Sequence, residues 1–329
     1  MSAGPEEIAA AIARLKSGGV VAFPTETVYG LGADAFDAKA VARVFELKGR
    51  PANNPLIVHV SGAAMAREVV ADWPREAEAL AEAFWPGPLS MVLPKSARVP
   101  SIVTGGGPNV GVRCPEHPLT LALIETLGVP LVGPSANPSG RTSPTSAGHV
   151  RASFSGGDVL VLDGGVCRRG IESTVVQLVP APRILRPGVI GAAAIERVIG
   201  APVLRLGASD AGATGGPLES PGLLRQHYAP RTPTYLVREH QVEAALASLP
   251  GPVVVVTSGA LSAQGPNMVE PLPPDAEGCA AALYATLRRA DDRGAATIVV
   301  VEPDAAVGEP AIWDAIMDRL GRAATRWNG

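Results

Sequence analysis

The apolar positions of this chain fall into short blocks whose spacing switches repeatedly between helix and strand periods. Residues 5–17 carry Ile8, Ile12 and Leu15 on one helical face, with Pro5 suited to the first turn and Gly18-Gly19 as a stop. A short apolar strand at 20–23 follows, then the polar run Thr25-Glu26-Thr27 and the glycines Gly30 and Gly32. The spacing predicts a helix over 38–48, with Asp37 as its N-cap and Val41, Val44 and Phe45 facing inward. Strands are expected at 56–60, 89–93, 110–113, 159–162, 174–178 and 183–185, and helices at 62–71, 75–84, 118–127 and 145–153. Residues 207–222 are rich in Gly, Ser and Pro, with few large apolar side chains, and read as a linker. The alternation then restarts with strands at 234–237, 252–256 and 297–301 and helices at 240–248, 277–291 and 310–324. An α/β chain of two units follows: 1–202, a linker at 203–232, and a smaller three-layer, mostly parallel unit at 233–329.

Composition narrows this picture. The chain has 329 residues, 47% of them hydrophobic, enough to build two cores. A net charge of −3 and only 4% aromatic residues argue against a basic, base-stacking surface for nucleic acid, while a local basic cleft stays open. Cys114, Cys167 and Cys279 lie far apart, which gives neither a zinc motif nor a disulfide framework. No signal-peptide pattern opens the sequence, and no apolar run reaches the roughly eighteen residues of a membrane span. The expectation is a cytoplasmic protein with no membrane association.

Two polar stretches stand out against the apolar blocks. SANPSGRTSPT, residues 135–145, follows the apolar run 129–132 and offers hydroxyls and amides on a path fixed by Pro and Gly. Lys48-Gly49-Arg50, with Asn53-Asn54-Pro55 behind it, offers positive charge before another apolar run. Together they suit an anionic ligand rich in hydrogen-bonding groups, such as a nucleotide. Lys48 and Arg50 also read as a solvated helix end, and His59 as a core residue of its strand. Arg113 reads as an ion-pair member or an anion ligand, and Arg186 as a phosphate ligand through its bidentate fork. GLGADA, 30–35, fits the loose pattern G-x-G-x-x-A, but six residues separate the expected strand from Gly30, so it reads as a tight turn instead. No P-loop, no G-x-S-x-G elbow and no metal-ligand spacing occurs.

Taken together, FPTETVYGLG (23–32), KGRPANNPLIVHV (48–60), WPGPLSMVL (85–93), VGVRCP (110–115), GPSANPSGRTSPT (133–145), ESTVV (172–176) and ILRPG (184–188) resemble the threonylcarbamoyl-AMP synthase, or YrdC-like, family. SPGLLRQHYAP (220–230) resembles the linker of its two-domain members. The resemblance implies a YrdC-like twisted-sheet domain with a concave basic cavity and a smaller Rossmann-like C-terminal domain. It implies a nucleotidyltransferase that joins L-threonine, bicarbonate and ATP, with Mg²⁺ carried on the nucleotide and no metal site assigned to the protein. The product would pass to threonylcarbamoyl-transfer enzymes acting on the adenosine beside the anticodon of ANN-reading tRNAs, with direct tRNA contact left open.

Carried across residue by residue, the family pattern places Thr27, His59, Arg113, Gly133 and Ser173 around threonine. Lys48, Arg50, Asn54, Ser135, Asn137, Ser143, Arg186 and Tyr228 would surround ATP, with Lys48 and Arg50 as the catalytic cations. Residues 217–230 would act as a lid over the nucleotide. The alternatives are a non-catalytic RNA-binding module and a carbamoyl-transfer domain of the hydrogenase-maturation kind, which would carry further zinc-finger and acylphosphatase parts.

Overall fold

A computed structural model describes residues 4–205, 218, 220–221, 227–259, 265–305 and 307–329. In the larger unit the helices are α1 (Pro5–Lys16), α2 (Ala38–Lys48), α3 (Ala63–Val69), α4 (Arg75–Phe84), α5 (Pro118–Leu127), α6 (Ala147–Ser153) and α7 (Ala192–Ile199). Its strands are β1 (Val21–Phe23), β2 (Gly30–Asp34), β3 (Ile57–His59), β4 (Leu89–Pro94), β5 (Asn109–Arg113), β6 (Leu131–Val132), β7 (Leu160–Val161), β8 (Thr174–Gln177), β9 (Arg183–Arg186) and β10 (Leu204–Arg205). They form one mixed sheet in the order β10-β9-β8-β4-β5-β3-β6-β2-β1-β7.

Local chemistry explains the element ends. The Asp37 carboxylate accepts hydrogen bonds from the Lys39 and Ala40 amides and so caps α2 as expected. Gly49 and Gly128 take the left-handed conformation that closes α2 and α5. One expectation fails. Gly30 and Gly32 do not make a tight turn but lie in β2, antiparallel to β1. The reason is the Phe23 ring: a Cβ on Gly30 would come within 2.6 Å of it, and one on Gly32 within 2.7 Å. Glycine here removes bulk from a sheet face, and its conformational freedom is not used.

The smaller unit has β11 (Thr234–Val237), β12 (Val253–Thr257), β13 (Met268–Pro271), β14 (Thr297–Val301) and β15 (Thr325–Arg326) in the order β13-β12-β14-β11-β15, all parallel. Helix α8 (Val242–Ser248) covers one face, and α9 (Ala276–Asp292) and α10 (Pro310–Ala323) cover the other. Its central strands VVVVT and TIVVV are buried throughout because side chains of alternate residues enter two separate cores. The edge strands β13 and β15 escaped the sequence reading, since MVEP and TR carry no periodic signal.

The two units pack directly on one another. Val28, Ile171 and Tyr228 belong to the same buried cluster as Leu283, Leu287, Ile316 and Leu320. Gly170, with a positive φ, lies so close to α9 that a Cβ would sit 2.3 Å from the Ala280 carbonyl oxygen. Most of the segment expected as linker lies outside the described residues. No helix among the described residues is long and apolar enough to cross a membrane.

Candidate active site

A cavity opens where the ends of β3, β5, β8 and β9 meet the loops after β1 and β6. Its lining includes Arg50, Arg113 and Arg186, which are all buried. Burying three guanidinium groups is costly unless acceptors or an anion face them. Three buried polar atoms of lining residues have no hydrogen-bond partner among the described residues, His59 Nδ1, His227 Nδ1 and the Tyr228 hydroxyl, and Asn54 Nδ2 and Asn137 Oδ1 behind the lining have none either. Such atoms normally find a partner, so their convergence marks a site built to complete its bonding with a polar ligand.

One wall gathers residues expected around threonine. Thr27, His59, Arg113, Gly133 and Ser173 all line the cavity. Thr25 and Thr27 share a hydrogen bond of 2.8 Å, and Thr25 Oγ1 donates to the Val28 carbonyl, which fixes the loop after β1. Phe23 meets the His59 ring edge-on at 5.3 Å. Gly133 is required here, because a Cβ would lie 2.4 Å from His59 Nδ1. Burial, then the nearby Arg113 charge, pushes the His59 imidazole down to about 3, so it is neutral at physiological pH. Glu26, fully buried behind this wall, lies 2.7 Å from Arg113 Nη2 and also accepts the Glu116 amide. Arg113 Nε donates to the Gly87 carbonyl. Arg113 is therefore ion-paired to Glu26, as one of its two sequence readings expects, and also lines the cavity.

The other wall is mixed in how it uses the residues expected around ATP. Arg50, Ser135, Arg186 and Tyr228 line the cavity, whereas Lys48, Asn54, Asn137 and Ser143 do not. Arg50 donates to Asn54 O and Oδ1 and to the Pro55 carbonyl, which aims its fork. Burial lowers its pKa to about 9, which leaves it cationic at pH 7. Lys48 Nζ donates to the carbonyls of Ser135 and Asn137, and the Lys48 carbonyl accepts the Ser139 amide. Burial, with Arg50 nearby, holds the Lys48 ammonium pKa well below its usual value. The lysine thus ties down the polar loop rather than reaching into the cavity. Asn137 Nδ2 closes that loop on Pro138 and Arg141 carbonyls.

Arg186 donates through Nε to the Ser173 carbonyl and through Nη2 to the Ser173 hydroxyl, while Ser90 bonds that same hydroxyl. Linker residues reach this wall. Leu218 N donates to the Asn53 carbonyl, Ala229 N to Gly140, and Pro221, His227 and Tyr228 line the cavity. Tyr228 is held at φ 64, uncommon for a non-glycine residue.

Sequence reasoning did not single out Glu26, Glu172 or His227. Glu26 had only its place inside a polar run to mark it, and Glu172 opens a strand as an ordinary acid would. Glu172 lines the cavity, yet both carboxylate oxygens are occupied. Among the described residues no group of three or more His, Cys, Asp or Glu side chains could hold a metal ion.

Residues 13–188 match the family model described as "Telomere recombination", which covers the Sua5, YciO and YrdC proteins, so the larger unit is a domain of that class. Residues 190–325 match the model "Threonylcarbamoyl-AMP synthase, C-terminal domain". The chain belongs to the threonylcarbamoyl-AMP synthase family, in its two-domain form. It is 41% identical to the threonylcarbamoyl-AMP synthase of Pyrococcus abyssi, over 94% of this chain and 92% of that one. It is 38% identical to that of Bacillus subtilis, over 98% and 94%. The crystal structure of P. abyssi Sua5 complexed with L-threonine superposes with a TM-score of 0.88 at 39% identity, covering 98% of this chain and 96% of that one.

Proposed function

We propose that this protein is an L-threonylcarbamoyladenylate synthase. It converts L-threonine, bicarbonate and ATP to threonylcarbamoyl-AMP, pyrophosphate and water. The observation that carries the reading is one cavity lined by three buried arginines and by three residues with an unpartnered polar atom, in a chain whose two-domain relatives bear that name.

The chemistry follows from the two walls. Arg113, backed by Glu26, takes the threonine carboxylate, and Thr27, His59 and Ser173 orient the rest of the amino acid. The amine and bicarbonate condense to a carbamate, whose oxygen attacks the α-phosphorus as pyrophosphate leaves. With a pKa of about 3, His59 is too weak a base to hold the amine proton at neutral pH, so its part is hydrogen bonding. Arg50 and Arg186 neutralise phosphate charge, and Lys48 acts by fixing the Ser135–Asn137 backbone. Alignment and charge neutralisation suffice for such phosphorus chemistry, without a covalent nucleophile. A Mg²⁺ ion carried with ATP would add charge neutralisation at the pyrophosphate to that supplied by Arg50 and Arg186.

Pro221, His227 and Tyr228 cover the nucleotide side of the cavity and limit its contact with water. Removal of residues 217–329 is expected to weaken ATP binding or to release adenylate prematurely, and unchanged affinity and yield would remove this role. The adenylate then serves threonylcarbamoyl transfer to the adenosine beside the anticodon, a step in tRNA modification that fits a cytoplasmic enzyme.

The deciding experiment measures pyrophosphate release from ATP with threonine and bicarbonate each supplied or withheld, and identifies the nucleotide product by mass. Dependence on both, with the mass of threonylcarbamoyl-AMP, establishes the reaction. Release with neither, or with another amino acid preferred, overturns it.

A further inference from the structure

The C-terminal unit reaches the cavity through one buried carboxylate. Glu172 lies on the cavity wall, and its Oε1 accepts the Ser143 hydroxyl at 2.7 Å. Its Oε2 accepts the Tyr284 hydroxyl at 2.8 Å and Arg319 Nε at 3.0 Å. Tyr284 stands on α9 and Arg319 on α10, so two of the three donors come from the other unit. Burial alone would raise the Glu172 carboxyl, but Arg319, then Arg186 and the hydroxyl donors, outweigh it and bring it down to about 2. With three donors on its two oxygens, this carboxylate holds its neighbours in place.

Arg319 extends the same grip. Fully buried, it donates to the Pro187 carbonyl at 2.9 Å and to the Glu172 carbonyl at 3.4 Å. Those two residues directly flank Ser173 and Arg186, which bond each other at the cavity wall. One guanidinium thus clamps both chain segments that carry the Arg186 fork. Arg288, also on α9, donates to the Thr142 and Ser143 carbonyls of the polar loop. Tyr284 stacks on Tyr228 with ring centres 5.6 Å apart, and Arg319 lies over the Tyr228 ring at 5.5 Å. The strained Tyr228 backbone is therefore held by the same two side chains.

On the opposite wall Val28 joins the apolar cluster of the C-terminal unit, but among the described residues no polar contact from that unit reaches Thr27, His59 or Arg113. Thr27, His59 and Arg113 are fixed by Thr25, Phe23, Glu26 and Gly87, all inside the larger unit. We infer that Tyr284 and Arg319 are positioning residues of the synthase, acting through Glu172 on Ser143, Arg186 and Tyr228, so that the C-terminal unit tunes the nucleotide half of the site more strongly than Thr27, His59 and Arg113, with Ser173 standing between the two. This rests on the division of the cavity given above.

The test measures ATP and threonine binding by calorimetry, and the two KM values, for Tyr284→Phe, Arg319→Lys, Glu172→Gln and the double variant Glu172→Gln/Tyr284→Phe. Tyr284→Phe removes one oxygen and no charge, so it keeps the fold even where an Arg319 variant does not. Loss of a hydrogen bond to a charged group predicts about tenfold weaker ATP binding, with threonine binding within about twofold. In the Glu172→Gln background the Tyr284→Phe effect should largely vanish, because coupled residues are not additive. Unchanged ATP affinity in both Tyr284→Phe and Arg319→Lys overturns the inference. So does equal weakening of both ligands together with a lowered Tm, or additivity in the double variant. A parent protein that binds both ligands but releases no threonine-dependent pyrophosphate overturns the synthase reading, while the binding split still decides the positioning role.

Discussion

Two buried carboxylate–arginine pairs flank the cavity and face opposite ways. In Glu26–Arg113 the carboxylate lies behind and the guanidinium faces the cavity, with a separation of 2.7 Å. In Glu172–Arg319 the carboxylate lies on the cavity wall and the guanidinium behind it, at 3.0 Å. The first pair is incomplete, since Arg113 Nη2 has no well-directed hydrogen bond among the described residues, while the second satisfies every carboxylate oxygen. The difference separates binding from framing. An ion pair with bonding capacity left over can take a ligand, and one without it can only hold its neighbours in place.

The largest expected effect comes from breaking the first pair. Arg113→Ala leaves Glu26 charged and buried, which should cost about 3–5 kcal/mol of stability and much more than tenfold in threonine-dependent turnover. Thermal unfolding and pyrophosphate release measure both; a variant near the parent in each would remove Arg113 from the site. Arg50→Ala sharpens the contrast, because Arg50 is held by carbonyls and not by a carboxylate. Its stability loss should be smaller, about 1–3 kcal/mol for the carbonyls left without a donor, while ATP binding falls well over tenfold. Equal affinity for ATP before and after the change would contradict the nucleotide assignment.

Glu26→Gln keeps the shape of the pair and removes its charge. The expected result is about a tenfold rise in threonine KM, as Arg113 loses its orienting charge-assisted contact, with ATP KM unchanged. A shift in ATP KM instead would exchange the two walls. The smallest effect is a pH slope. His59 and His227 are both pushed down by burial to about 3, below the ordinary imidazole value of 6.5. Between these values the unfolded chain binds protons that the folded protein does not. Stability is therefore fully present above about pH 6.5 and falls as pH drops toward 3, with at most ~1.4 kcal/mol per pH unit from each imidazole. Denaturation midpoints at pH 7.5, 6.5 and 5.5 read this slope, and His227→Gln should flatten it. A midpoint that rises on acidification would contradict the burial of neutral imidazoles.

Periodicity located the repeating elements because they depend on local pattern. Helix α2 with its Asp37 cap and α5 with its Gly128 stop begin and end where their side chains dictate. The short or edge strands β2, β13 and β15 did not announce themselves, because pairing with a neighbour makes them strands. Of the residues expected around the ligands, nine line the cavity: Thr27, His59, Arg113, Gly133, Ser173, Arg50, Ser135, Arg186 and Tyr228. Lys48, Asn54 and Ser143 stand one layer back, bonding Ser135, Arg50 and Glu172, which face it, while Asn137 bonds within its own loop. No pattern in the chain separates these two sets, since a lysine at a helix end looks the same whether its ammonium meets a ligand or two carbonyls.

By itself the sequence determined two α/β units, the polar loop, the flanking cations and the family, because hydrophobic period, turn chemistry and ordered motifs are properties of neighbouring residues. Tertiary structure alone decided that Glu26 stands behind Arg113, and that Tyr284 and Arg319 meet Glu172 across 112 and 147 residues of chain. On their helices those two residues look like any aromatic and any base. Burial against another unit is what turns them into partners, since only there does an unmatched charge or hydroxyl carry a cost that fixes geometry.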